Sequence, residues 1–207
     1  MLIDVRQGTP EWFEERKGRL TASNFASAAG LEGSYDSRAQ LWRNLKGDAK
    51  KEVTGPMLFG SENEGNARHS FEVISGLLVQ PVGMYVHSRF DWLGASPDGN
   101  ISGDSLLETK CRKDSPYETI SPQHMAQIQG QLMCAERRTC YFQSWTPSLQ
   151  KVWLVPLDIK YWDWLWPMLE EFWGYVINDE EPPPLRKRRR YSKEITFDLI
   201  HEGESYG

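Results

Sequence analysis

Apolar residues along the chain follow two different spacings, and the change between them separates predicted helices from predicted strands. Up to residue 76 the apolar positions recur every three or four residues, which is the period of one helix face. Capping residues support this pattern, because Thr9 and Pro10 are a typical helix start and a glycine ends each stretch. The pattern predicts helices over residues 9–17, 20–29, 37–46 and 56–75.

From residue 77 onward, short apolar runs are separated by turn residues, a pattern typical of strands. The predicted elements are, in chain order, strands over 77–87, 92–95 and 105–111, a helix over 124–134, strands over 140–145 and 150–157, and a helix over 158–177. We expect strands 92–95 and 105–111, with turn residues at 97–100 (PDGN) and 103–104 (GD) between them, to form a hairpin or near-hairpin. This order predicts an α/β (α+β) fold with a central mixed β-sheet flanked by helices.

Length and composition favour one domain followed by a charged tail. The 207 residues, of which 39% are apolar and 26% charged, suit a single globular domain. We assign residues 1–178 to the domain and residues 179–207 to a proline-rich, basic tail. Arg186 to Arg190 in this tail are consecutive cations, which suit phosphate contacts on DNA or, equally, a solvated segment.

Composition also argues against several classes of function. The four histidines and three cysteines have no zinc-ligand spacing, and we expect His124 to be a solvated side chain. No glycine-rich phosphate loop is present, so no ATP-driven activity is predicted. No apolar run is long enough to span a bilayer and the sequence opens without a leader, so we expect a cytoplasmic protein. The net charge of −5 does not decide whether nucleic acid is bound, because the distribution of charge matters more.

The predicted strand 105–111 and the turn before it carry the residues that indicate chemistry. Glu108 and Lys110 project from the same face of the strand, because side chains alternate along it. A hairpin would place Asp98 beside Glu108. Two carboxylates next to an ammonium group suit Mg²⁺, which polarises a phosphoryl oxygen and lowers the pKa of a bound water that Lys110 could orient or deprotonate. The ordinary alternative is a turn aspartate and a solvated Glu–Lys pair.

These residues also match a known signature. Asp98, nine intervening residues and then Glu108-Thr109-Lys110 resemble the motif of the PD-(D/E)XK nucleases. The segments 96–99 (SPDG) and 107–111 (LETKC) are similar to the phage lambda exonuclease family, the YqaJ-type alkaline exonucleases. Three further blocks resemble that family in the same order: residues 12–23 (WFEERKGRLTAS), 59–68 (FGSENEGNAR) and 125–129 (MAQIQ). The resemblance implies a single-domain, restriction-endonuclease-like PD-(D/E)XK fold.

The resemblance implies a role for particular residues. They are, for catalysis, Asp98, Glu108, Lys110, Glu64 and Gln127; for metal ligation, Asp98, Glu108 and the main-chain carbonyl of Thr109; for a pocket that binds a terminal 5′-phosphate, Arg16, Ser23 and Ser96; and for an apolar wedge that splits the duplex end, Met57. Ordinary roles stay open for some of them. Arg16 can stabilise its own helix dipole, Glu64 can form a solvated pair on its helix, and Met57 can simply pack.

The activity implied by the resemblance is a Mg²⁺-dependent 5′→3′ exonuclease, a hydrolase that enters double-stranded DNA at a free 5′-phosphorylated end and leaves 3′ single-stranded overhangs. The resemblance further implies two Mg²⁺ ions, for which Mn²⁺ can substitute, a homotrimer, and a single-strand annealing recombinase as partner. The setting would be phage or prophage recombination in the cytoplasm of a bacterial or phage-infected cell, with no membrane involved. Two alternatives stay open: an endonuclease of the same superfamily, and a catalytically inactive DNA-binding or assembly module.

Overall fold

The computed structural model describes residues 1–47 and 54–206, which form both helices and strands. Its helices are α1 (Pro10–Arg16), α2 (Phe25–Ala29), α3 (Arg38–Lys46), α4 (Gly55–Ser75), α5 (Pro122–Ala135) and α6 (Ile159–Ile177), and a 3₁₀ turn precedes α2. Its strands are β1 (Leu2–Ile3), β2 (Leu20–Thr21), β3 (Val79–Gln80), β4 (Met84–Val86), β5 (Leu93–Ala95), β6 (Gly99–Ile101), β7 (Ser105–Cys111), β8 (Thr139–Trp145), β9 (Leu149–Pro156) and β10 (Asp198–Glu204).

Capping residues explain why several helices begin and end close to their predicted bounds. The Thr9 hydroxyl accepts a hydrogen bond from the N–H of Trp12 at the start of α1, and the Ser37 hydroxyl accepts one from the N–H of Gln40 at the start of α3. Gly47 ends α3 in the left-handed conformation, with φ of 83°, which glycine adopts without strain. These signals are local, and the sequence alone therefore reveals them.

Within the described residues the strands form a four-stranded sheet in the order β1-β4-β5-β2 and a six-stranded sheet in the order β10-β9-β8-β7-β6-β3. Strands β7 and β8 run parallel, as do β2 and β5, while the other paired strands run antiparallel. The predicted α/β (α+β) class, with mixed strands flanked by helices, is confirmed. The strands are nevertheless divided between two sheets, where the sequence predicts one.

Two predicted elements have a different structure. Segment 20–29 begins as strand β2 rather than as a helix, because its first two residues pair with β5. Strand β5 pairs with β4 and not with β7, so the predicted hairpin is wrong. The hairpin partner of β7 is β6, which the sequence assigns to a turn. A Cβ atom at position 99 would lie 2.2 Å from Cγ1 of Val79 on β3, so any larger residue there would force the Val79 side chain or its strand to move.

Strand β7 lies inside the six-stranded sheet and has a helix against each face. Leu106 packs into the larger hydrophobic core, to which α5 contributes, and Leu107 packs into a smaller core to which α4 contributes. Both leucines are buried. Because side chains alternate along a strand, Glu108 and Lys110 face α5 together with Leu106, and Thr109 lies on the side of α4.

The tryptophan-rich helix α6 packs on the larger core through its apolar face. Trp162 is buried. The ring of Trp173 stacks on that of Trp92, and the ring of Trp166 packs at a tilt against it, with ring centroids 5.1 Å and 5.7 Å apart. These contacts fix α6 beside β5. Across residues 1–47 and 54–206, no helix has both the length and the apolar character that crossing a bilayer requires.

The segment after residue 178 returns to the domain. Strand β10 pairs with β9 and forms an edge of the six-stranded sheet. Before it, the main-chain N–H of Arg189 donates to the carbonyl oxygen of Gly30 at 3.0 Å, and the Arg189 guanidinium donates to Glu171 at 2.9 Å. The sequence predicts no strand here, because the residues of β10 are mostly polar and exposed. A functional boundary at residue 178 stays a prediction.

Candidate active site

Glu108 is the buried centre of a hydrogen-bond network between β7 and α5. Its side chain is 2% exposed. The Nζ atom of Lys110 and the Nε2 atom of Gln127 each donate to its Oε1 atom at 2.6 Å, and the Nε2 atom of Gln131 donates to its Oε2 atom at 2.5 Å. A buried carboxylate without such donors would cost roughly several kcal/mol, so the three hydrogen bonds offset the cost of burying Glu108.

Asp98 forms hydrogen bonds with Leu107 and Thr109, the two residues of β7 that precede and follow Glu108. Its main-chain N–H donates to the carbonyl oxygen of Leu107 at 3.0 Å, and its Oδ2 atom accepts a hydrogen bond from the N–H of Thr109 at 2.6 Å. The structure therefore brings Asp98, Glu108, Lys110 and the main chain of Thr109 together. The hairpin of β6 and β7 does this, although β6 was not predicted.

The electrostatics of these groups are strongly coupled. Burial raises the pKa of Asp98 well above its usual range, and the negative charges of Glu108 and Glu64 raise it further, while Lys110 and the Thr109 N–H offset part of the effect. Burial lowers the pKa of Lys110, but the charges of Glu108 and Asp98 outweigh it and raise that pKa above its usual range. Carboxylates that repel one another at short range are an arrangement that a bound cation stabilises.

The donor atoms of this centre fit a hard divalent cation. Asp98 and Glu108 supply carboxylate oxygens, and the Thr109 carbonyl supplies a neutral oxygen, which are the ligands that Mg²⁺ prefers. Three donors occupy the Glu108 carboxylate, which has about four lone-pair positions, so capacity for a metal is left. In the part of the chain that the structure describes, no three Asp, Glu, His or Cys side chains already form a cluster that could hold a metal ion.

A cleft of about 610 Å³ opens beside Asp98. Glu64 and Arg68 of α4 line one wall, and Asp98 and Thr109 line the other. Glu64 is exposed to solvent, and its charge is near enough to Asp98 to raise the pKa of that carboxyl group. The structure therefore adds Glu64 to the same site. Met57 lies apart, 43% exposed at the start of α4 and about 10 Å along the helix from Glu64.

A second group of polar side chains surrounds Trp12 next to this centre. The indole N–H of Trp12 donates to the Ser96 hydroxyl at 3.0 Å, and the Arg16 guanidinium lies 4.4 Å from the centroid of the Trp12 ring. Arg16 also donates to the Thr21 hydroxyl at 3.1 Å, and that hydroxyl lies 3.3 Å from the hydroxyl of Ser23. The structure thus brings Arg16, Ser23 and Ser96 into one group. Burial lowers the pKa of Arg16 to about 10, so its guanidinium stays charged at neutral pH.

Gln131 belongs to the Glu108 network but was not among the predicted site residues. Its amide is buried, and its position on α5 is one helical turn after Gln127. Residues four apart lie on the same helix face, so this spacing was the signal that could have revealed it.

The contacts of Trp12 and Thr21 were also not predicted. The first joins Trp12 to Ser96, which is distant in sequence, and the second joins Arg16 to Thr21 on strand β2, which the sequence assigns to a helix.

His124 is buried, so the expectation of a solvated side chain is wrong. It is 3% exposed, and its ring packs edge-on against Tyr117 and at a tilt against Phe142. Neither ring nitrogen has a hydrogen-bond partner within residues 1–47 and 54–206, and burial lowers the pKa of His124 to about 3. The reason is that α5 is enclosed on almost all its faces, which the apolar pattern of the helix does not show.

Solved structures of exonucleases have a fold similar to that of this chain. The alkaline exonuclease LHK-Exo from Laribacter hongkongensis has a TM-score of 0.69 and 24% sequence identity, covering 83% of this chain and 94% of that one. Its complex with dAMP has a TM-score of 0.68 at the same identity and coverage. A phage related exonuclease from Haemophilus somnus 129PT has a TM-score of 0.61 and 12% identity, covering 78% of this chain and 96% of that one. The protein therefore has a PD-(D/E)XK-like fold, as predicted.

Sequence comparison then identifies the family within this fold. The profile of the YqaJ-like viral recombinase domain matches residues 11–138, and the protein belongs to that family. The resemblance to the lambda exonuclease-like, YqaJ-type family is confirmed. No characterised protein sequence matches the chain significantly. Family membership and the shared exonuclease fold together support a nuclease role.

Proposed function

We propose that the protein is a Mg²⁺-dependent 5′→3′ exonuclease that degrades one strand of duplex DNA from a 5′-phosphorylated end and leaves a 3′ single-stranded overhang. The observation that carries this proposal is the short distance between the acidic centre and the polar group around Trp12. Ser96 of the Trp12 group and Asp98 of the acidic centre are two residues apart, which is at most about 7 Å of chain. Such a spacing suits neighbouring phosphates of a single strand, one bound at its end and the other cut.

Each residue of the acidic centre has a separate role in hydrolysis. Bound by Asp98, Glu108 and the Thr109 carbonyl, Mg²⁺ would polarise the phosphoryl oxygen and lower the pKa of a water molecule. Lys110 uses one ammonium proton on Glu108 and has two more to donate to the attacking water or to a phosphoryl oxygen. Gln127 and Gln131 hold the Glu108 carboxylate in one orientation. Glu64 supplies negative charge from α4 for a second ion.

A pocket that requires a 5′-phosphate also decides which bond is cut. Each turnover must break the P–O3′ bond, with the water oxygen bonding to phosphorus, so that the released nucleotide keeps a 3′-hydroxyl. The next nucleotide then begins with a phosphate, and the shortened strand is again a substrate. Arg16 suits this task because a guanidinium forms paired hydrogen bonds with phosphate oxygens.

Further parts of the proposal rest on the resemblance. Met57 is proposed as the wedge at the duplex end, and its exposure at the start of α4 is compatible with that role. A homotrimer, a single-strand annealing recombinase as partner, and phage or prophage recombination in the bacterial cytoplasm are proposed on the same ground. Mn²⁺ is expected to replace Mg²⁺, because both accept oxygen ligands.

The polarity is tested with linear duplex DNA that carries a 3′-end label on one strand at a time, in the presence of Mg²⁺. Degradation from the 5′ end produces a ladder of shortening labelled fragments, whereas degradation from the 3′ end releases the label at once. A closed circular duplex serves as control. Shortening ladders with an intact circle support the proposal; a cut circle indicates an endonuclease, and DNA binding without metal-dependent cleavage indicates an inactive module.

Arg16→Ala is expected to reduce cleavage of 5′-phosphorylated ends roughly 10- to 100-fold, because charge-assisted hydrogen bonds to phosphate contribute about 1.5–3 kcal/mol. Ends with a 5′-hydroxyl should be cut equally slowly by the variant and the wild type. Lys17→Ala is the matched control, since Lys17 is the next cation in the chain, is exposed, and pairs with Glu14 outside the Trp12 group. Equal losses on both kinds of end would remove Arg16 from the phosphate pocket.

Gln131→Met is expected to slow cleavage about 10- to 100-fold, because groups that orient a metal-binding carboxylate typically contribute that much. Gln129→Met is the matched control. Gln129 is also a buried amide of α5, but its Nε2 atom donates to the carbonyl oxygen of Pro156 at 2.9 Å and does not contact Glu108. Both substitutions should lower the unfolding midpoint, and only Gln131→Met should lower the rate measured on folded protein. A comparable rate loss in both variants would contradict the role of Gln131.

A further inference from the structure

A groove of about 480 Å³ runs between the segment 189–197 and the N-terminal parts of α5 and α6. It shares no lining residue with the cleft beside Asp98. Aromatic and cationic side chains line it together, among them Tyr161, Trp164, Tyr191, Arg190 and Lys193. This combination is typical of surfaces that bind single-stranded nucleic acid, where rings stack on bases and cations follow the backbone.

The aromatic side chains of the groove form a fixed cluster. The ring of Tyr191 lies 5.0 Å from that of Trp164 and 4.9 Å from that of Tyr161, measured between centroids. Tyr161 is fully buried, whereas Trp164 and Tyr191 are half-buried and keep ring surface open to the groove. Buried Tyr161 thus supports the two rings on which a base could stack.

The cations of the groove are available to a ligand. Arg190 and Lys193 are exposed, and neither forms an ion pair within the described part of the chain. Arg189 differs, because its guanidinium pairs with Glu171. The groove is lined by three cations, Arg189, Arg190 and Lys193, and by two acids, Glu32 and Glu194. Arg190 and Lys193 are therefore the groove cations that suit phosphate contacts.

Two chain segments connect this groove to the acidic centre. The loop after α2 contributes Glu32 to the groove, and Tyr35 of the same loop is near enough to Lys110 to raise its pKa. The segment between β7 and α5 contributes Ile120, which follows Tyr117 by three residues, or at most about 10 Å of chain. Tyr117 is in turn a neighbour of Tyr35. The groove therefore begins close to the edge of the active site.

We propose that this groove binds single-stranded DNA alongside the catalytic centre. Duplex DNA cannot use the stacking surfaces, because its base faces are covered by neighbouring base pairs, whereas an unpaired strand presents them. The site is distinct from the acidic centre and from the 5′-phosphate pocket. It extends the proposed function, in which one strand becomes unpaired, and its test does not depend on cleavage.

The test is the fluorescence anisotropy of a fluorescein-labelled oligothymidylate, titrated with the full chain in EDTA at several salt concentrations. A length of about 12 nucleotides lies within the site sizes of single-strand binding folds. Arg190→Ala/Lys193→Ala is expected to weaken binding about tenfold or more at low salt. The slope of log K against log salt should fall by about 1.4, since each phosphate contact on a single strand contributes about 0.7. Trp164→Leu is expected to weaken binding about fivefold or more without changing the slope, because stacking releases no counterions.

Arg186→Ala/Lys187→Ala is the matched control, because it removes two exposed cations from the same segment that do not line the groove. This control should bind the oligonucleotide within about twofold of the wild type, a difference smaller than the loss of one stacked base. Equal weakening by both double variants, or no weakening by the groove variants, would overturn the proposal; in the second case a protein partner becomes the better occupant. Cleavage of a short duplex by all variants, measured separately with Mg²⁺, tests the nuclease proposal and leaves this one unaffected.

Discussion

Asp98→Asn is expected to reduce Mg²⁺-dependent DNA cleavage at least about a thousandfold, because loss of a carboxylate ligand removes several kcal/mol of metal-assisted stabilisation of the transition state. Asparagine has nearly the same shape, and its carbonyl oxygen can still accept the Thr109 N–H that binds Asp98. The variant should therefore fold. Stability should not fall, since burial and the charges of Glu108 and Glu64 already raise the pKa of Asp98 and oppose its ionisation.

The matched control for this prediction is Asp104→Asn. Asp104 lies in the turn that joins β6 to β7, and its side chain forms an exposed ion pair with Arg138. Such a pair contributes little to stability, and the residue lies at the far end of β7 from Lys110. The rate of each variant is measured on the same linear duplex, with folding checked by circular dichroism. Asp98→Asn protein that cuts as fast as the control would remove Asp98 from the mechanism.

Lys110→Met is expected to slow the chemical step about 100- to 10,000-fold while DNA affinity stays within about threefold, because the ammonium group acts on the attacking water or on the transition state and not on DNA as a whole. Methionine keeps the length and apolar stem of lysine. The Glu108 carboxylate keeps its hydrogen bonds from Gln127 and Gln131, and the Lys110 side chain is 28% exposed, so water can replace part of the lost pairing.

For Lys110→Met, single-turnover cleavage measures the rate of the chemical step, and a separate binding titration in EDTA measures the DNA affinity. Lys160→Met is the control, because Lys160 is an exposed lysine in the first turn of α6 and is not part of the acidic centre. A drop in affinity that accounts for the whole loss of rate would assign Lys110 to DNA binding. An unchanged single-turnover rate would remove it from catalysis.

The sequence predicts β7 at its observed bounds because the information needed is local. It contains the short apolar run Leu106-Leu107, and turn residues precede it. Strands β6 and β10 were not predicted, because their local sequence does not indicate a strand. Their residues are typical of turns or of solvated chain, and only pairing with β7 and β9 makes them strands. Pairing of this kind depends on residues distant in sequence, which local patterns do not report.

Some features of the candidate site can be predicted from local sequence, and others depend on tertiary packing. A motif on one strand and the turn before it suggests Asp98, Glu108 and Lys110. The hairpin that brings them together is formed by β6 and not by the predicted strand 92–95. The burial of His124 depends instead on how α5 is enclosed, and the contact between Gln131 and Glu108 depends on which face of α5 meets β7. The sequence shows which side chains share a helix face but not what that face meets.

If the centre around Asp98 and Glu108 cuts DNA with the help of a divalent cation, nucleotide release must depend on that cation. Release from linear duplex DNA is measured after treatment of the protein with EDTA and then during titration with Mg²⁺. We expect no release in EDTA, recovery as Mg²⁺ is added, and no recovery in Asp98→Asn. Release that continues in EDTA, or a folded wild-type protein that binds DNA and releases nothing with either Mg²⁺ or Mn²⁺, would contradict this expectation.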